Sequence, residues 1–447
     1  MSRGLKHLAR STLLVVVLTA AAIVSVVLVF TSPAFAQTPA ASATSVSDPV
    51  PPGLRGYYDT LLAEGEWGAV LNLQRLGLEA IDQGHLDVAA RALDAGIQRI
   101  EVIYANSESA KKARSLWSSE GSKDFKGEPY ERAMTYYYRG LLFMADGDYE
   151  NARASFRSAE YQDTISNSED HAGDFGLMSL LSGWASTCAG DAGMAADFYQ
   201  RAATQQPEGL KAPAGGSATL VLVESGTSPI KTATGSYGEA LQLKSGDNPF
   251  VAALANGKEL PLLGDIGWQA STLGGRQIDS ILGGKASFRA GTETVAGIGL
   301  QGATFAIGLD DGGGAAGALA AVGIAAVLVS SATKPKADIR HWDNLPDRVY
   351  GTFMKSVGKA GLAVAEKTAD GEAYPIERPT LDRTAGRCRL VLYRAREPGV
   401  LRPQPVTNLS AGERKSLYKR NEARDTAFRN EMNRLFVAND EALAGAE

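Results

Sequence analysis

Residues 136–159 read YYYRGLLFMADGDYENARASFRSA, and this pattern predicts two short helices joined by a turn at residues 146–148. Small residues, Gly140 in the first helix and Ala152 in the second, allow the two backbones to approach closely. Phe156 fills the space beside them. Because such a helix pair buries its apolar face only by stacking on another pair, we expect further copies in the chain.

The spacing of these small and aromatic residues recurs and matches the tetratricopeptide-repeat (TPR) consensus. The equivalent glycines of the three copies, Gly77, Gly140 and Gly183, are 63 and 43 residues apart, against about 34 in the consensus. The excess predicts two polar insertions, at about 104–129 and about 161–174. The matching positions are Gly140, Gly147, Asp148, Ala152, Phe156 and Ala159 in one copy, Gly183, Gly190, Asp191, Ala195, Tyr199, Ala202 and Pro207 in the next, and Leu76, Gly77, Gly84, Ala89 and Leu93 in an earlier, weaker one.

From Ala212 onward the composition changes to Gly, Ser and Thr with short β-rich runs. The last of these runs, RCRLVLYR, alternates in the way typical of a strand with one solvent-exposed face. The runs predict a small β domain assembled from both ends of residues 215–396, with a long insertion in the middle. The predicted strands lie at 218–223, 239–243, 349–355, 362–366 and 387–394.

The insertion, at about residues 265–333, is rich in Gly and Ala and is largely hydrophobic. Residues 312–333 carry no charge across 22 positions, which meets the length criterion for a membrane span. Their Ala and Gly content is unlike that of most spans, which are rich in Leu, Ile and Phe. Two interpretations stay open, a membrane-associated segment and a buried helical hairpin.

Together these segments predict an α+β fold. It has an N-terminal TPR-like α-helical repeat domain at residues 54–207, the β domain with its Gly/Ala-rich hydrophobic helical insertion, and a C-terminal helix at residues 408–440. Ser410 and Glu413 predict a capping box at the start of that last helix. Its apolar stripe comprises Leu417, Phe428, Met432, Leu435 and Phe436.

The N-terminus predicts export from the cytoplasm. A basic start, a 20-residue uncharged apolar run and the small residues of Ala34-Phe35-Ala36 make residues 1–36 a signal peptide. The apolar run is also long enough to span a bilayer, so an uncleaved N-terminal anchor is the alternative. Residues 37–53 are small, polar and Pro-containing, which predicts a flexible linker.

Composition and residue spacing exclude some classes of partner and of functional site. The chain has 447 residues, 44% of them hydrophobic, and a formal net charge of −5, which argues against a nucleic-acid partner.

Cys188 and Cys388 are either one disulfide or two separate buried thiols. The spacing of Cys and His predicts no metal site, and the GxGxxG pattern at 297–302 follows no convincing strand, so we predict no cofactor.

Two short motifs lie outside the repeat consensus. Residues 128–132 are predicted to cap the helix of the central repeat, with Glu131 and Arg132 available to hold the preceding loop. The structural motif comprises Glu128, Pro129, Tyr130 and Arg132. Residues 337–346, ADIRHWDNLP, are predicted to form a charged, hydrogen-bonded corner. The alternative for this second motif is a ligand or acid–base site that uses Asp338, Arg340 and His341. The structural interpretation of the corner rests on Asp338, Arg340, Trp342 and Pro346.

The segments 127–153, 218–231 and 337–349, with the Gly/Ala tract, resemble the TPR-containing envelope lipoproteins of proteobacteria, a family of uncharacterised function. The resemblance covers the chain from Thr60 to Ala395. It implies an exported, envelope-associated protein, located in the bacterial periplasm or envelope membrane, and supplies no reaction and no catalytic residue. Family members commonly carry a lipid-attached cysteine after the signal peptide, where this chain has Ala-Phe-Ala-Gln.

These observations predict a cell-envelope scaffold or adaptor, not an enzyme, that holds a protein or peptide partner on the repeat surface. No catalytic residue is predicted. Two alternatives stay open: an envelope enzyme or small-ligand-binding protein that uses residues 337–346, and a membrane-embedded structural component that inserts residues 312–333. The predicted partner contacts are Trp117, Tyr137, Tyr138 and Arg139, with Tyr137 alternatively a core residue.

Overall fold

The helical part of the chain consists of paired helices that pack in sequence order. Consecutive helices contact each other from α2 to α7, so each pair lies against the next. Short 3-10 turns at Pro52–Leu54 and Gly65–Trp67 flank the first helix. The helices are α1 (Arg55–Glu64), α2 (Ala69–Asp82), α3 (Leu86–Ala105), α4 (Pro129–Asp146), α5 (Tyr149–Thr164), α6 (Gly176–Ala189) and α7 (Ala192–Gln205).

The computed structural model describes residues 50–105, 122–164, 173–206, 210–235, 240–244, 246, 248–272, 337–356, 361–395 and 407–437. Several predictions concern residues outside these ranges: the N-terminal segment 1–36, the contact residue Trp117 and the hydrophobic segment 312–333.

Glycines allow close contact where the paired helices cross. A Cβ atom built on Gly140 of α4 would lie 2.4 Å from the ring of Phe156 on α5. A Cβ on Gly183 of α6 would likewise lie 2.6 Å from the ring of Tyr199 on α7. No side chain fits at either position, so the aromatic ring packs directly on the opposite backbone.

Within the described residues, the β part contains all five of the predicted strands and six further ones. The order in the main sheet is β10-β11-β1-β7-β6, with β1 and β11 parallel and the other neighbours antiparallel. A four-stranded antiparallel sheet has the order β5-β4-β8-β9, and β2 pairs with β3. The strands are β1 (Thr219–Ser225), β2 (Ile230–Thr234), β3 (Ala240–Lys244), β4 (Phe250–Ala255), β5 (Lys258–Glu259), β6 (Leu262–Asp265), β7 (Arg348–Met354), β8 (Val364–Thr368), β9 (Ala373–Ile376), β10 (Leu381–Ala385) and β11 (Cys388–Arg394); helix α8 (Ile266–Thr272) follows β6.

The main sheet is the middle layer of the molecule. Leu220 and Leu222 of β1 join the helices in one hydrophobic core, whereas Val221 and Val223 join the four-stranded sheet in another. This alternation follows from the two-residue period of a strand. The fold is thus a mixed α+β structure, and the core continues across the predicted boundary between helical and β parts.

Strand β11 corrects one prediction. The alternation in RCRLVLYR suggested one solvent-exposed face, but both faces are covered: Leu390 and Leu392 face the helices, and Val391 and Tyr393 face the second sheet. The layers packed on its two faces, and not its local pattern, bury it.

The C-terminal helix α9 (Ala411–Phe436) packs on the first helix and on the turn that follows it. The predicted capping box is confirmed, since Ser410 and Glu413 bond reciprocally at its start. Phe436 packs edge to face on Tyr58 of α1, with ring centroids 5.7 Å apart. Val50, which lies inside the predicted linker at residues 37–53, is buried.

Cys188 of α6 and Cys388 of β11 form a disulfide. Of the two alternatives for these cysteines, the paired one is therefore found. The bond links the helical layer to the main sheet over a sequence separation of 200 residues.

Candidate functional site

Tyr137 and Tyr138, predicted to contact a partner, lie in the interior of the molecule. Both side chains are fully buried, and their ring centroids are 4.9 Å apart in an edge-to-face arrangement. Their hydroxyls donate hydrogen bonds to Glu224 of β1, at 3.1 and 2.8 Å. Because the sheet of the same chain covers this face of α4, the contact role predicted for the two tyrosines is corrected to a core role.

Arg139, the next residue along α4, is largely engaged within the helical layer. It forms an ion pair with Asp94 of α3 at 2.6 Å. Its guanidinium also lies 3.6 Å from the centroid of the Phe143 ring. Its role as a partner contact stays a prediction.

A buried ion cluster extends from Glu224 toward the surface. Arg394 pairs with Glu224 and with Asp82, its Nε lying 2.6 Å from Asp82 Oδ1. It also donates to the Tyr138 hydroxyl at 2.6 Å and to the Asn344 carbonyl at 3.0 Å. Burial raises the pKa of Tyr138 well above its ordinary value, so its hydroxyl stays protonated and donates to Glu224. The cluster holds two carboxylates and one guanidinium, a net negative charge.

The EPYER segment at the start of α4 caps that helix. Glu128 is the N-cap residue, and its N–H donates to the Glu131 carboxylate at 2.6 Å in a capping box. Pro129 and Tyr130 are the first residues of the helix. Arg132 holds the preceding loop, since it donates to the carbonyl of the glycine before the cap at 2.7 Å.

Glu131 also joins α4 to two distant parts of the chain. This carboxylate is fully buried and pairs with Lys231 of β2, at 2.7 Å. Its other oxygen accepts the backbone N–H of Trp342, also at 2.7 Å. Removing one partner would leave an uncompensated buried charge, so the arrangement is structural.

The segment 337–346 directs its charged groups into the protein. Arg340 is fully buried and donates to the Asp338 carboxylate, with its Nη2 2.7 Å from Oδ2. It also donates to the main-chain carbonyls of Trp67 at 2.8 Å and Lys123 at 2.7 Å. These bonds fix the segment against the helical layer.

The rest of this segment is packed in the same way. Trp342 is fully buried, with its ring 5.9 Å from that of Tyr138, and Pro346 is buried as well. His341 is half-buried, and its Nδ1 lies 3.1 Å from the Ile339 carbonyl. The geometry favours the structural interpretation of residues 337–346.

A cleft of about 850 Å³ lies where the C-terminal end of α2 meets the edge of the four-stranded sheet. The end of α2, strands β8 and β9, residues 377–380 and the end of β11 form its walls. Strand β9 is at the sheet edge and is largely exposed. The polar and aromatic residues that line the cleft include Asp82, Gln83, Glu366, Tyr374, Arg378 and Arg394.

Glu366 of β8 is a buried carboxyl in the wall of this cleft, with 4% of its surface exposed. It accepts hydrogen bonds from the Ser225 hydroxyl and from the backbone N–H of Gly226. Burial raises the pKa of Glu366 to about 7, and the two hydrogen bonds lower it by less than burial raises it. The carboxyl therefore exchanges its proton near neutral pH.

Glu366 ends the strand predicted at residues 362–366 and was not predicted as a site residue. One signal was present, because Glu366 is two residues after the buried Val364 and so shares its face of the strand. An acid in phase with the apolar face of a strand is a marker of a functional or paired group. The opposing walls of the cleft come from distant parts of the chain, and no sequence pattern identified their residues as part of a site.

Among the described residues, no group of His, Cys, Asp or Glu side chains is arranged to hold a metal ion. In the same ranges, no helix is both long enough and apolar enough to cross a bilayer. Comparison with protein-family models, with curated proteins and with solved structures found no match.

Proposed function

We propose that this protein is an exported scaffold or adaptor of the bacterial cell envelope, which holds a segment of a protein or peptide partner in the cleft beside Glu366. The observation that carries the proposal is the cleft of about 850 Å³, with a buried carboxyl in its wall and the exposed ring of Tyr374 at its edge. Concave sites with a few oriented polar groups are where proteins most often bind their ligands.

The helical layer is proposed to consist of TPR-like pairs. The contacts of Gly140 with Phe156 and of Gly183 with Tyr199 support this, because they put small residues at the helix crossings. In this chain the main sheet covers the helix face that carries Tyr138. The partner is therefore proposed to bind at the cleft and not on that face.

Export is supported by two independent features. Residues 1–36 have the basic start, apolar run and small-residue site of a signal peptide or anchor. The disulfide between Cys188 and Cys388 fits an oxidising compartment such as the periplasm. The membrane-embedded alternative rests on residues 312–333, which lie outside the described ranges.

Site-specific photo-crosslinking in cells tests the proposed position of the partner. A photoreactive residue replaces Gln83 or Arg378 in the cleft. In control variants it replaces Arg139 or the exposed Glu422 of α9. We expect the two cleft positions to form an adduct with the same partner and the other two to form none. Adducts from Arg139 alone, or no adduct from either cleft position, would contradict the proposal.

One observation favours a second candidate, acid–base chemistry at Glu366. A carboxyl with a pKa of about 7 can both accept and donate a proton at neutral pH. Mass spectrometry of the captured partner after incubation with wild-type or Glu366→Gln protein separates the two candidates. If the protein is an adaptor, the mass of the partner is unchanged in both samples. If it is an enzyme, the mass changes only in the wild-type sample.

A further inference from the structure

We propose that the cleft recognises a cationic group, an alkylammonium or a guanidinium, which pairs with the carboxylate of Glu366 and lies against the ring of Tyr374. This inference rests on the proposed function, because it names the chemistry of the ligand that the same cleft would hold. The cation can come from a lysine or arginine side chain of a peptide or from a small free amine.

The first support is the surroundings of Glu366. Its carboxylate is buried, and the hydrogen bonds it accepts, from Ser225 and Gly226, come from neutral donors. Over the ranges that the structure describes, the ion pairs of Lys and Arg go to other acids. A buried carboxylate without a counter-charge is costly, and a ligand cation would supply that charge.

The second support is the charge of the surrounding wall. Arg394 contributes no free positive charge, because Glu224 and Asp82 share its guanidinium. Glu377 and Arg378 are adjacent, exposed and opposite in sign, so they balance each other at the rim. Since neither the Arg394 cluster nor the rim pair supplies a net positive charge, the ionised Glu366 leaves the cleft negative, which favours a cation over an anion.

The third support is the position of Tyr374. It is the direct cross-strand neighbour of Glu366 in the β8–β9 pair, so both side chains start from the same face of the sheet. The residue is 48% exposed, and its ring is held in place by the hydroxyl bond to Glu372 at 2.8 Å and by the ring of Phe250. An aromatic ring beside a carboxylate binds alkylammonium and guanidinium groups through cation–π attraction.

Isothermal titration calorimetry on the purified full chain, at about pH 8 so that Glu366 is ionised, tests the inference. The probes are agmatine, cadaverine, the peptides acetyl-Ala-Lys-Ala-amide and acetyl-Ala-Arg-Ala-amide, and a neutral peptide with norleucine in the central position. We expect at least one cationic probe to bind more tightly than the neutral peptide. Binding by the peptides alone identifies a polypeptide source, and equal binding by the free amines identifies a small amine.

Variants then locate the binding. Glu366→Gln should weaken the binding of the cationic probe by about tenfold or more. Tyr374→Ala should weaken it by roughly threefold to tenfold, while Tyr374→Phe, which keeps the ring and its contact with Phe250 but loses the bond to Glu372, should weaken it less than Tyr374→Ala does. Glu422→Gln on α9 is the matched control and should bind as the wild type does. Circular dichroism checks that each variant is folded, and Tyr374 at the exposed edge provides a second test if Glu366→Gln does not fold.

Three outcomes would overturn the inference: equal binding of the neutral peptide, undiminished binding by Glu366→Gln, or no binding of any cationic probe. None of these contradicts the proposed function, provided that crosslinks from Gln83 and Arg378 still report a partner in the cleft. If the amines still bind but neither Gln83 nor Arg378 forms a crosslink, the result would contradict the proposed function. The cleft would then be a small-molecule site, and the protein would not be an adaptor.

Discussion

Gly140 shows how one residue determines the packing of a helix pair. It lies where α4 crosses α5, and the ring of Phe156 occupies the space that a side chain would need. Gly96 in α3 is also helical, but a Cβ atom there would lie 3.7 Å from Leu73 Cβ, an ordinary contact distance. The two glycines therefore differ in packing and not in secondary structure.

We expect Gly140→Ala to lower the free energy of unfolding by roughly 1–3 kcal/mol, because the added methyl group overlaps Phe156. Gly96→Ala is the matched control and should be neutral or stabilising by up to about 1 kcal/mol, since alanine is the better helix former. Urea unfolding followed by circular dichroism measures both. Equal effects of the two substitutions would contradict the proposed close crossing.

The pKa of Glu366 predicts a pH-dependent stability. An ordinary Glu carboxyl titrates near 4.5, and this one is raised to about 7, so the folded state binds the proton more tightly than the unfolded state. The contribution of Glu366 to stability is thus greatest below about pH 4.5 and decreases as the pH rises to about 7. The other charged groups of the cleft are Asp82 and Arg394, which pair with each other, and Glu377 and Arg378 at the rim.

Glu366→Gln should remove this pH dependence. We expect the variant to exceed the wild type in free energy of unfolding by about 1–3 kcal/mol at pH 8, and the difference to be small at about pH 4.5. Denaturant unfolding across this pH range measures the effect, with Glu377→Gln as the control for an exposed carboxyl in the same cleft. Parallel pH profiles of wild type and Glu366→Gln would show that the buried carboxyl titrates normally.

Among the elements, the strands show what a local pattern can and cannot predict. All five predicted strands are present, because β-branched and aliphatic runs bounded by turn residues report strand propensity directly. The exposure of β11 was predicted wrongly, since its second face is covered by β8, which comes earlier in the chain. Burial of a strand depends on what packs on it, and that information is not local.

Helix α9 was predicted from its apolar stripe, of which four residues are buried and Leu435 is half-buried. We predict that Phe436→Ala lowers the free energy of unfolding by about 3–5 kcal/mol, because the ring is buried against Tyr58. Lys419→Ala, on the exposed side of the same helix, should change it by less than about 0.5 kcal/mol. Thermal unfolding of both variants provides the comparison, and a similar melting temperature for the two would mean that α9 is not docked in solution.

At the scale of the whole molecule, the helical layer and the main sheet are joined by several buried links. Glu224 bonds to the tyrosines of α4, Glu131 pairs with Lys231, and Arg340 bonds to the carbonyl of Trp67. Each link connects residues far apart in the sequence. The predicted domains at 54–207 and 215–396 therefore contribute layers to a shared core.

The disulfide between Cys188 and Cys388 adds a covalent link between these layers. We expect its reduction, or the substitution Cys188→Ser together with Cys388→Ser, to lower the free energy of unfolding by about 2–5 kcal/mol. Guanidinium unfolding with and without dithiothreitol measures this, and the double variant, which lacks the bond, should not respond to the reductant. An equal response of both proteins would show that the effect is not due to the disulfide.

The sequence alone determined the features that depend on nearby residues: the mixed α+β class, the capping box at Ser410, the strand positions and the glycines at the helix crossings. Only the tertiary structure determined that the sheet covers Tyr137 and Tyr138, that the two cysteines pair, and that Glu366 lies in the wall of a cleft. The physical reason is the range of the interactions. Hydrogen bonds and periodicity within an element repeat every few residues, whereas burial of a face is decided by packing between segments that are up to hundreds of residues apart.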